Sequence, residues 1–291
     1  MKIIILGANG MIGYGLFDYL SKYHDVIGTL RRDKNFYKNI TQLYEKNIIY
    51  GVDVKNISEI KNILISHRPD ILVNATGIVK QITGQVSEAD IIELNALVPH
   101  KLCQLTRSES IKLIQFSTDC VFSGKKGNYS EDDTPDPIDF YGLSKYMGEV
   151  NQKGVLTLRT STIGLELTGS HGLIEWFLKQ TGGIDGYMNA IYTGITINEL
   201  AKFVNFLITK HRDIDGLWQV AGTQINKFAL LSILGAKLQR KDIQILPNKE
   251  YVCDRSLVNT KIVMKTDYKF PDWEIMLEHL AQEINNRESS K

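Results

Sequence analysis

The run Ile3-Ile4-Ile5-Leu6-Gly7-Ala8-Asn9-Gly10-Met11-Ile12-Gly13 decides the fold class. Four apolar residues in unbroken succession, three of them β-branched, suit a strand covered on both faces. Three glycines follow at three-residue spacing, and then apolar residues recur at Ile12, Leu16, Tyr19 and Leu20 with a helical period. In a strand–glycine turn–helix unit, the glycines let backbone amides approach a pyrophosphate at the helix N-terminus. The spacing is G-x-x-G-x-x-G, not the G-x-G-x-x-G of the dehydrogenase fingerprint, and a tight turn with no ligand is the competing reading.

Moving outward, the same unit recurs. Asp25 to Thr29 reads as a second strand. An acidic residue is expected near its end to hold an NAD ribose, but Arg31 and Arg32 stand there and the first acid is Asp33. Two guanidiniums at that point suit the 2′-phosphate of NADP, which arginine grips in bidentate fashion, although a solvated loop pair has the same look. Ile48 to Val52 forms a third strand ending in Asp53-Val54. Asn56 with Glu59 caps the next helix, whose inner face is Ile60, Ile63 and Leu64. Ile71-Leu72-Val73 is a fourth strand running into Asn74-Ala75-Thr76-Gly77, small residues where ligands of open α/β sheets bind. A long helix from Glu88 to Arg107, a fifth strand at Leu113 to Phe116 and a sixth at Val155 to Leu158 complete the pattern. Five strand–helix units before residue 150 predict an α/β fold with a doubly wound parallel (Rossmann) sheet.

Beyond about residue 160 the alternation weakens. Thr196 with Glu199 is a capping box, Leu217 to Val220 a short strand, Lys227 to Leu238 a helix and Pro271 to Ile284 a last amphipathic helix. The expected division is a dinucleotide-binding domain over residues 1–160 and a smaller C-terminal α/β substrate domain over 161–291. The boundary is soft, with the chain free to cross between the two parts, because no linker separates them. The tail from Asn285 to Lys291 reads as disordered.

The bulk numbers exclude some classes. With 291 residues, 43% apolar, 23% charged and a net charge of +1, the chain has no global field to collect nucleic acid or membrane. Cys103, Cys120 and Cys253 are too few and too far apart for a disulfide framework or a zinc site, so reduced packing thiols and no metal are expected. No apolar run approaches a membrane span, and the first stops at Gly7, too short for a signal peptide, which predicts a cytoplasmic protein.

In Tyr141-Gly142-Leu143-Ser144-Lys145 a phenol and an ammonium lie four residues apart, on one face if the segment is helical. At about 4 Å and an effective dielectric of ~20, the cation favours the phenolate by roughly 4 kcal/mol before desolvation. That is enough to bring a tyrosine from about 10 toward neutrality. A solvated helix face gives the same spacing, so the pair gains its meaning from its surroundings.

Taken together and in this order, the motifs resemble those of the extended short-chain dehydrogenase/reductases. Gly7, Gly10 and Gly13, with Asn9, Met11 and Ile12 among them, match that family's cofactor turn, and Asp53-Val54 its adenine-contacting pair. Thr118 takes the place of its active-site serine or threonine, and Tyr141 with Lys145 that of its catalytic pair. Ser117-Thr118-Asp119-Cys120-Val121-Phe122-Ser123-Gly124, Tyr129-Ser130-Glu131, Tyr141 through Glu149, and the late Arg255-Ser256-Leu257 with Thr260-Lys261 are similar to its dTDP-4-dehydrorhamnose reductase branch. Cys120 stands where that branch usually has tyrosine, Thr162 where it usually has tryptophan, and Gly15 where some members carry a glutamate for a dimer-bridging magnesium.

The resemblance implies NADPH as cofactor, with NADH as the alternative. Its binding residues would include Arg31, Arg32, Ala75, Thr76, Gly77, Tyr141 and Lys145 besides the turn and the adenine pair. It implies reduction of the 4-keto group of a nucleotide-linked 4-keto-6-deoxy sugar, for deoxysugar and surface polysaccharide biosynthesis. Tyr141 would donate the proton, Lys145 would lower its pKa and hold the nicotinamide ribose, and Thr118 would hydrogen-bond the ketone. Thr118, Asp119, Val121, Asn189 and Arg255 would contact the substrate, Arg255 at its pyrophosphate. The implied partner is the nucleotide sugar, with a homodimer as one option. Two other readings stay open: an epimerase or dehydratase of the same scaffold using Asp119 as acid/base, and a non-catalytic NADP-binding regulatory subunit.

Overall fold

Ile3 and Ile5 pack into one buried cluster from β1 (Lys2–Leu6), while Ile4 and Leu6 pack into another on its opposite face. This two-residue alternation of burial on both sides is what an all-apolar strand predicts. The computed structural model describes residues 1–38, 40 and 47–289. After β1 come α1 (Met11–Leu20), β2 (Asp25–Leu30), β3 (Ile48–Tyr50), α2 (Ile57–His67) and β4 (Ile71–Asn74). Next are α3 (Glu88–Ile92), a π-helical turn (Glu93–Leu97), α4 (Val98–Ser108), β5 (Lys112–Thr118), α5 (Phe140–Met147) and β6 (Val155–Thr160). The later elements are β7 (Thr162–Ile163), α6 (Leu173–Leu178), β8 (Gly182–Tyr192), β9 (Ile195–Thr196) and α7 (Ile197–Lys210). The chain then forms β10 (Gly216–Val220), β11 (Ile225–Asn226), α8 (Lys227–Lys237), β12 (Ile243–Asp254), α9 (Thr260–Thr266) and α10 (Trp273–Ser289).

Seven strands form one sheet in the order β10-β6-β5-β4-β1-β2-β3, and every pairing in it is parallel. Helices cover both faces. Leu16 and Phe17 of α1, Leu200 and Val204 of α7 and Leu277 of α10 share the cluster of Ile3 and Ile5; Ile60 of α2 and Leu102 of α4 share that of Ile4. At roughly 1.5–3 kcal/mol for each fully buried large apolar side chain, these two layers are the main stabilising term. A second sheet of three strands, β11-β8-β12, lies in the C-terminal part, with β8 and β12 parallel. No helix among the described residues is long and apolar enough to cross a membrane.

Because the large sheet is parallel, the carboxyl ends of β1, β2, β4, β5 and β6 share one edge. The strand order reverses direction between β1 and β4, the switch point at which open α/β sheets leave a crevice.

Two sequence expectations are corrected, and one element takes a definite place. The helix expected over Glu88 to Arg107 is broken by the π-helical turn, which carries the buried side chain of Asn95. The short strand expected at Leu217 to Val220 is present and crosses back to the large sheet, pairing beside β6 in register Trp218 with Leu158. The tail is not disordered as far as Ser289. Helix α10 runs through it, and Arg287 pairs with the buried Glu175 of α6 at 2.5 Å; residues 290 and 291 lie outside the described residues.

Candidate active site

The glycine turn sits at the end of β1. Gly7 has φ +77°, and a Cβ on Gly13 would lie 2.1 Å from the Gly7 carbonyl oxygen, so the helix can start this close to the strand only with glycine at both positions. Gly10 is different. Its backbone (φ −72°, ψ 161°) suits any residue, and a Cβ there would meet nothing nearer than 3.5 Å. The fold itself therefore does not require glycine at position 10. Gly10 caps α1 without any side-chain hydrogen bond, and no acid stands in the first turn. The first amides of α1 therefore have no intrahelical partner and form the positive end of the helix dipole. A dinucleotide pyrophosphate fits such a cradle.

Arg31 and Arg32 follow β2 at the same edge and are exposed; Arg32 stacks its guanidinium 5.7 Å from the Phe36 ring. Asp33 accepts from the Phe36 amide at 3.0 Å as a helix cap. Asp53 accepts from the Lys55 amide at 3.0 Å, and Val54 is buried. Ala75, Thr76 and Gly77 leave β4, held by Asn74 Oδ1, which accepts from the Thr76 amide at 3.2 Å and hydroxyl at 2.6 Å. Asn9 reaches across to Thr168, 3.4 Å away.

At the end of β5, Thr118 is buried. Its hydroxyl donates to Asp119 Oδ1 at 3.1 Å and accepts from the Cys120 amide at 3.1 Å. Helix α5 is capped by Asp139, which accepts from the Gly142 amide at 2.7 Å, and it carries Tyr141 and Lys145 one turn apart. The Thr118 hydroxyl stands close enough to the Tyr141 phenol to favour its ionised form. Burial pushes the phenol's pKa well up, with the Cys120, Asp119 and Asp139 charges acting in the same direction and the nearby Thr118 hydroxyl against them. The expected pull of Lys145 toward a neutral pKa is therefore not met. The amine of Lys145 donates to the Phe116 carbonyl at 2.7 Å, and burial lowers its own pKa to about 8, opposed by Glu149. Tyr141 is thus held protonated at neutral pH, the state a proton donor needs.

Several residues here were not singled out from the sequence. Asn95 accepts from the Ile78 amide at 2.8 Å and donates to the Ile78 carbonyl and Ser144 hydroxyl, each at 3.0 Å, tying the loop after β4 to α5. An asparagine inside an apolar helical stripe (Ile91, Leu94, Val98) was the available signal. Lys80 pairs with Asp139 at 2.7 Å. Lys227, at the start of α8, is lowered by burial and drawn the other way by Asp119, Cys253 and Cys120. No sequence pattern marks either lysine.

The late segment crosses to this edge through backbone bonds: the Asp254 amide donates to Gly124 O, and the Tyr129 amide donates to Ser256 O, both at 2.8 Å. Arg255 donates to the Phe122 carbonyl at 2.9 Å and to Cys120 Sγ at 3.4 Å. Burial raises the pKa of Asp119, with Arg255 opposing, and pushes the Cys120 thiol up to about 12, where it is a poor nucleophile. The structure therefore brings Thr118, Asp119, Tyr141, Lys145 and Arg255 together. Val121 is wholly buried among Phe122, Tyr129, Ala221 and Leu257. Asn189 lies on β8, where its amide donates to the Lys249 carbonyl at 2.9 Å. Gly15 packs against α7, where a Cβ would come within 2.0 Å of Ile197, so a longer side chain has no room in that direction. Among the described residues no group of three or more His, Cys, Asp or Glu is placed to hold a metal.

Comparison with known proteins follows the same lines. The chain is 28% identical over 151 residues to a dTDP-4-dehydrorhamnose reductase of Burkholderia thailandensis, covering 52% of this chain and 45% of that one. It is 31% identical over 166 residues to a probable dTDP-4,6-dihydroxy-2-methyloxan-3-one 4-ketoreductase of Streptomyces antibioticus, covering 56% and 50%. The chain thus spans about half the length of the curated relatives it matches. The crystal structure of a dTDP-4-dehydrorhamnose reductase from Bacillus anthracis, in complex with NADP, superposes with a TM-score of 0.79 over 97% of this chain and 99% of that one, at 22% identity. Since the model of the RmlD substrate binding domain family matches residues 1–171, the glycine turn, Thr118, Tyr141 and Lys145 among them, this chain belongs to that family.

Proposed function

We propose that the protein is an NADPH-dependent reductase of the 4-keto group of a nucleotide-linked 4-keto-6-deoxy sugar, serving deoxysugar and surface polysaccharide synthesis. The observation that carries this reading is the shared sheet edge: a cradle left open above Gly10 stands with a phenol kept protonated against Thr118. NADPH, when bound, supplies the hydride. Gly7 through Gly13 would hold its pyrophosphate, Arg31 and Arg32 its 2′-phosphate, Asp53 and Val54 its adenine, and Ala75 to Gly77 and Lys145 the ribose end. Tyr141 protonates the sugar oxygen as negative charge develops there, while Thr118 hydrogen-bonds the same oxygen. Arg255, Lys80 and Lys227 give the cleft the positive charge that a sugar-linked diphosphate requires, and residues 161–291 serve as the sugar-nucleotide-binding domain.

The deciding experiment supplies NADPH with dTDP-, UDP- and GDP-linked 4-keto-6-deoxy sugars and follows stoichiometric oxidation of the dinucleotide with a reduced sugar product. The Arg31→Ala/Arg32→Ala variant should lose about 10- to 100-fold in NADPH affinity with NADH affinity little changed, as expected for removing charge-assisted bonds of about 1.5–3 kcal/mol. Equal losses for both dinucleotides would remove the 2′-phosphate role. One observation favours a second reading. The carboxyl of Asp119, raised by burial and bonded to Thr118, is a candidate acid/base for an epimerase or dehydratase. Conversion of a sugar nucleotide with no net change in dinucleotide would establish it.

A further inference from the structure

Glu149 lies four residues beyond Lys145 and is nearly inaccessible, with 7% side-chain exposure, and its partner Arg159 on β6 shows 1%. Arg159 grips it in bidentate fashion, Nε to Oε1 at 2.9 Å and Nη2 to Oε2 at 2.7 Å, and the Ser117 hydroxyl donates to Oε1 at 2.6 Å. The guanidinium also lies 4.9 Å from the centre of the Phe122 ring. A buried pair of this kind seldom adds stability over a well-packed apolar pair, because desolvation offsets the attraction. Its placement points to another use. Two consecutive residues of β5 hold the two charged groups: Phe116 offers its carbonyl to Lys145, and Ser117 offers its hydroxyl to Glu149. Ser117 is in register with Arg159 on the neighbouring strand, so the clamp is built into the sheet.

We propose that Glu149 is a positioning residue for Lys145: its carboxylate, fixed by Arg159 and Ser117, keeps the amine charged without binding it. The inference takes from the proposed function only that Lys145 works as a cation. A direct ion pair would turn the amine away from the crevice. A carboxylate whose oxygens are already taken acts through its field and leaves the N–H groups not bonded to Phe116 available to the crevice. Burial of Lys145 works against its charge, and Glu149 is the group that opposes it. The other titratable groups on elements packed around the amine are Tyr141 and Tyr146 on its own helix, Asp119 after β5, and Glu88, Asp90 and Glu93 on α3 and the π-helical turn. His100 of α4, bonded to the Met147 carbonyl, and the Asp139–Lys80 pair complete the set. Asp90 and Glu93 are taken by Lys55 and Lys101.

The test reads the amine directly. In the reductively methylated full-length protein, the ¹³C signal of Lys145, assigned by its loss in Lys145→Arg, should titrate near pH 8. In Glu149→Gln it should titrate at least one unit lower, and Glu149→Asp should restore most of the difference. If Glu149→Gln does not fold, the double variant Glu149→Gln/Arg159→Met leaves no buried charge unpaired; because it removes the guanidinium along with the carboxylate, its shift should be downward but smaller. Turnover of the Glu149→Gln variant should lose its alkaline limb about one unit earlier, a roughly fivefold loss at pH 8. An unchanged Lys145 titration in a folded variant overturns the proposal. A shifted titration with no sugar nucleotide ever reduced leaves it standing and removes the proposed function instead.

Discussion

Replacing Tyr141 with phenylalanine lowers kcat by about 10³- to 10⁴-fold while leaving the unfolding temperature and the dinucleotide affinity close to those of the parent. The size follows from general acid catalysis, which contributes typically ~10²–10⁴, with the upper part expected where the donor's hydroxyl is desolvated and its alternative is water in a crevice. The structure shows why the change is otherwise mild. Only one oxygen is removed, and the neighbouring Thr118 keeps its bonds to Asp119 Oδ1 and the Cys120 amide, so its hydroxyl is not orphaned. The pH dependence has a definite sign. Burial raises the pKa of Tyr141, so the phenol stays protonated through the physiological range. Lys145, lowered to about 8, is charged below that pH and loses its charge above it. The parent's rate should therefore fall as pH rises through about 8, a limb set by the lysine rather than the tyrosine. Initial rates of NADPH oxidation across pH, beside thermal unfolding of both proteins, check this. Unchanged turnover in Tyr141→Phe would remove Tyr141 from the chemistry.

That limb illustrates what a sequence can and cannot carry. The central strands are legible because a parallel sheet covered on both faces forces unbroken apolar runs such as Ile3 to Leu6 and Ile71 to Val73, and these runs have few other uses. The glycine turn is legible for the same local reason: Gly13 is demanded by an oxygen six residues earlier. Tyr141 and Lys145 are visible as a spacing, yet the spacing alone suggests that the cation acts on the phenol. In the folded chain the Phe116 carbonyl, 29 residues away, takes the amine. What stays hidden depends on distant partners. Strand β8 begins with two glycines, and β12 is mixed in polarity with an irregular register between Asn248 and Val252, so neither has a clean period, and each is a strand because the other is. The polar end of α10 resembles a solvated tail until Glu175, 112 residues earlier, is placed beneath Arg287. Arg159 looks like any arginine after a strand, and only the register with Ser117 shows that it is enclosed.

The glycine turn allows fold and ligand to be separated by a pair of single methyl groups. Gly13→Ala places a Cβ 2.1 Å from the Gly7 carbonyl oxygen, and backbone rather than a flexible side chain stands in the way, so α1 must move off β1. Overpacking of this kind costs about 1–3 kcal/mol and sometimes more. At roughly 2–4 °C per kcal/mol for domains somewhat smaller than this, the unfolding temperature should drop by several degrees or more. Gly10→Ala meets only an ordinary contact at 3.5 Å on a backbone any residue adopts, so its unfolding should match the parent's within about a degree. Its methyl group, however, would stand over the unpaired amides at the start of α1, which have neither a capping side chain nor a nearby acid to satisfy them. An anion kept off those amides loses one or more charge-assisted hydrogen bonds, about 1.5–3 kcal/mol each, so NADPH affinity should fall by roughly 10- to 100-fold. Thermal unfolding without ligand, set beside titration with NADPH, reads the two effects independently. The expected pattern is crossed: alanine at 13 acts on the melting curve, and alanine at 10 acts chiefly on the titration. If Gly10→Ala binds NADPH as tightly as the parent, the space above residue 10 is not where the pyrophosphate sits, and the reductase reading loses the cradle on which its hydride donor depends.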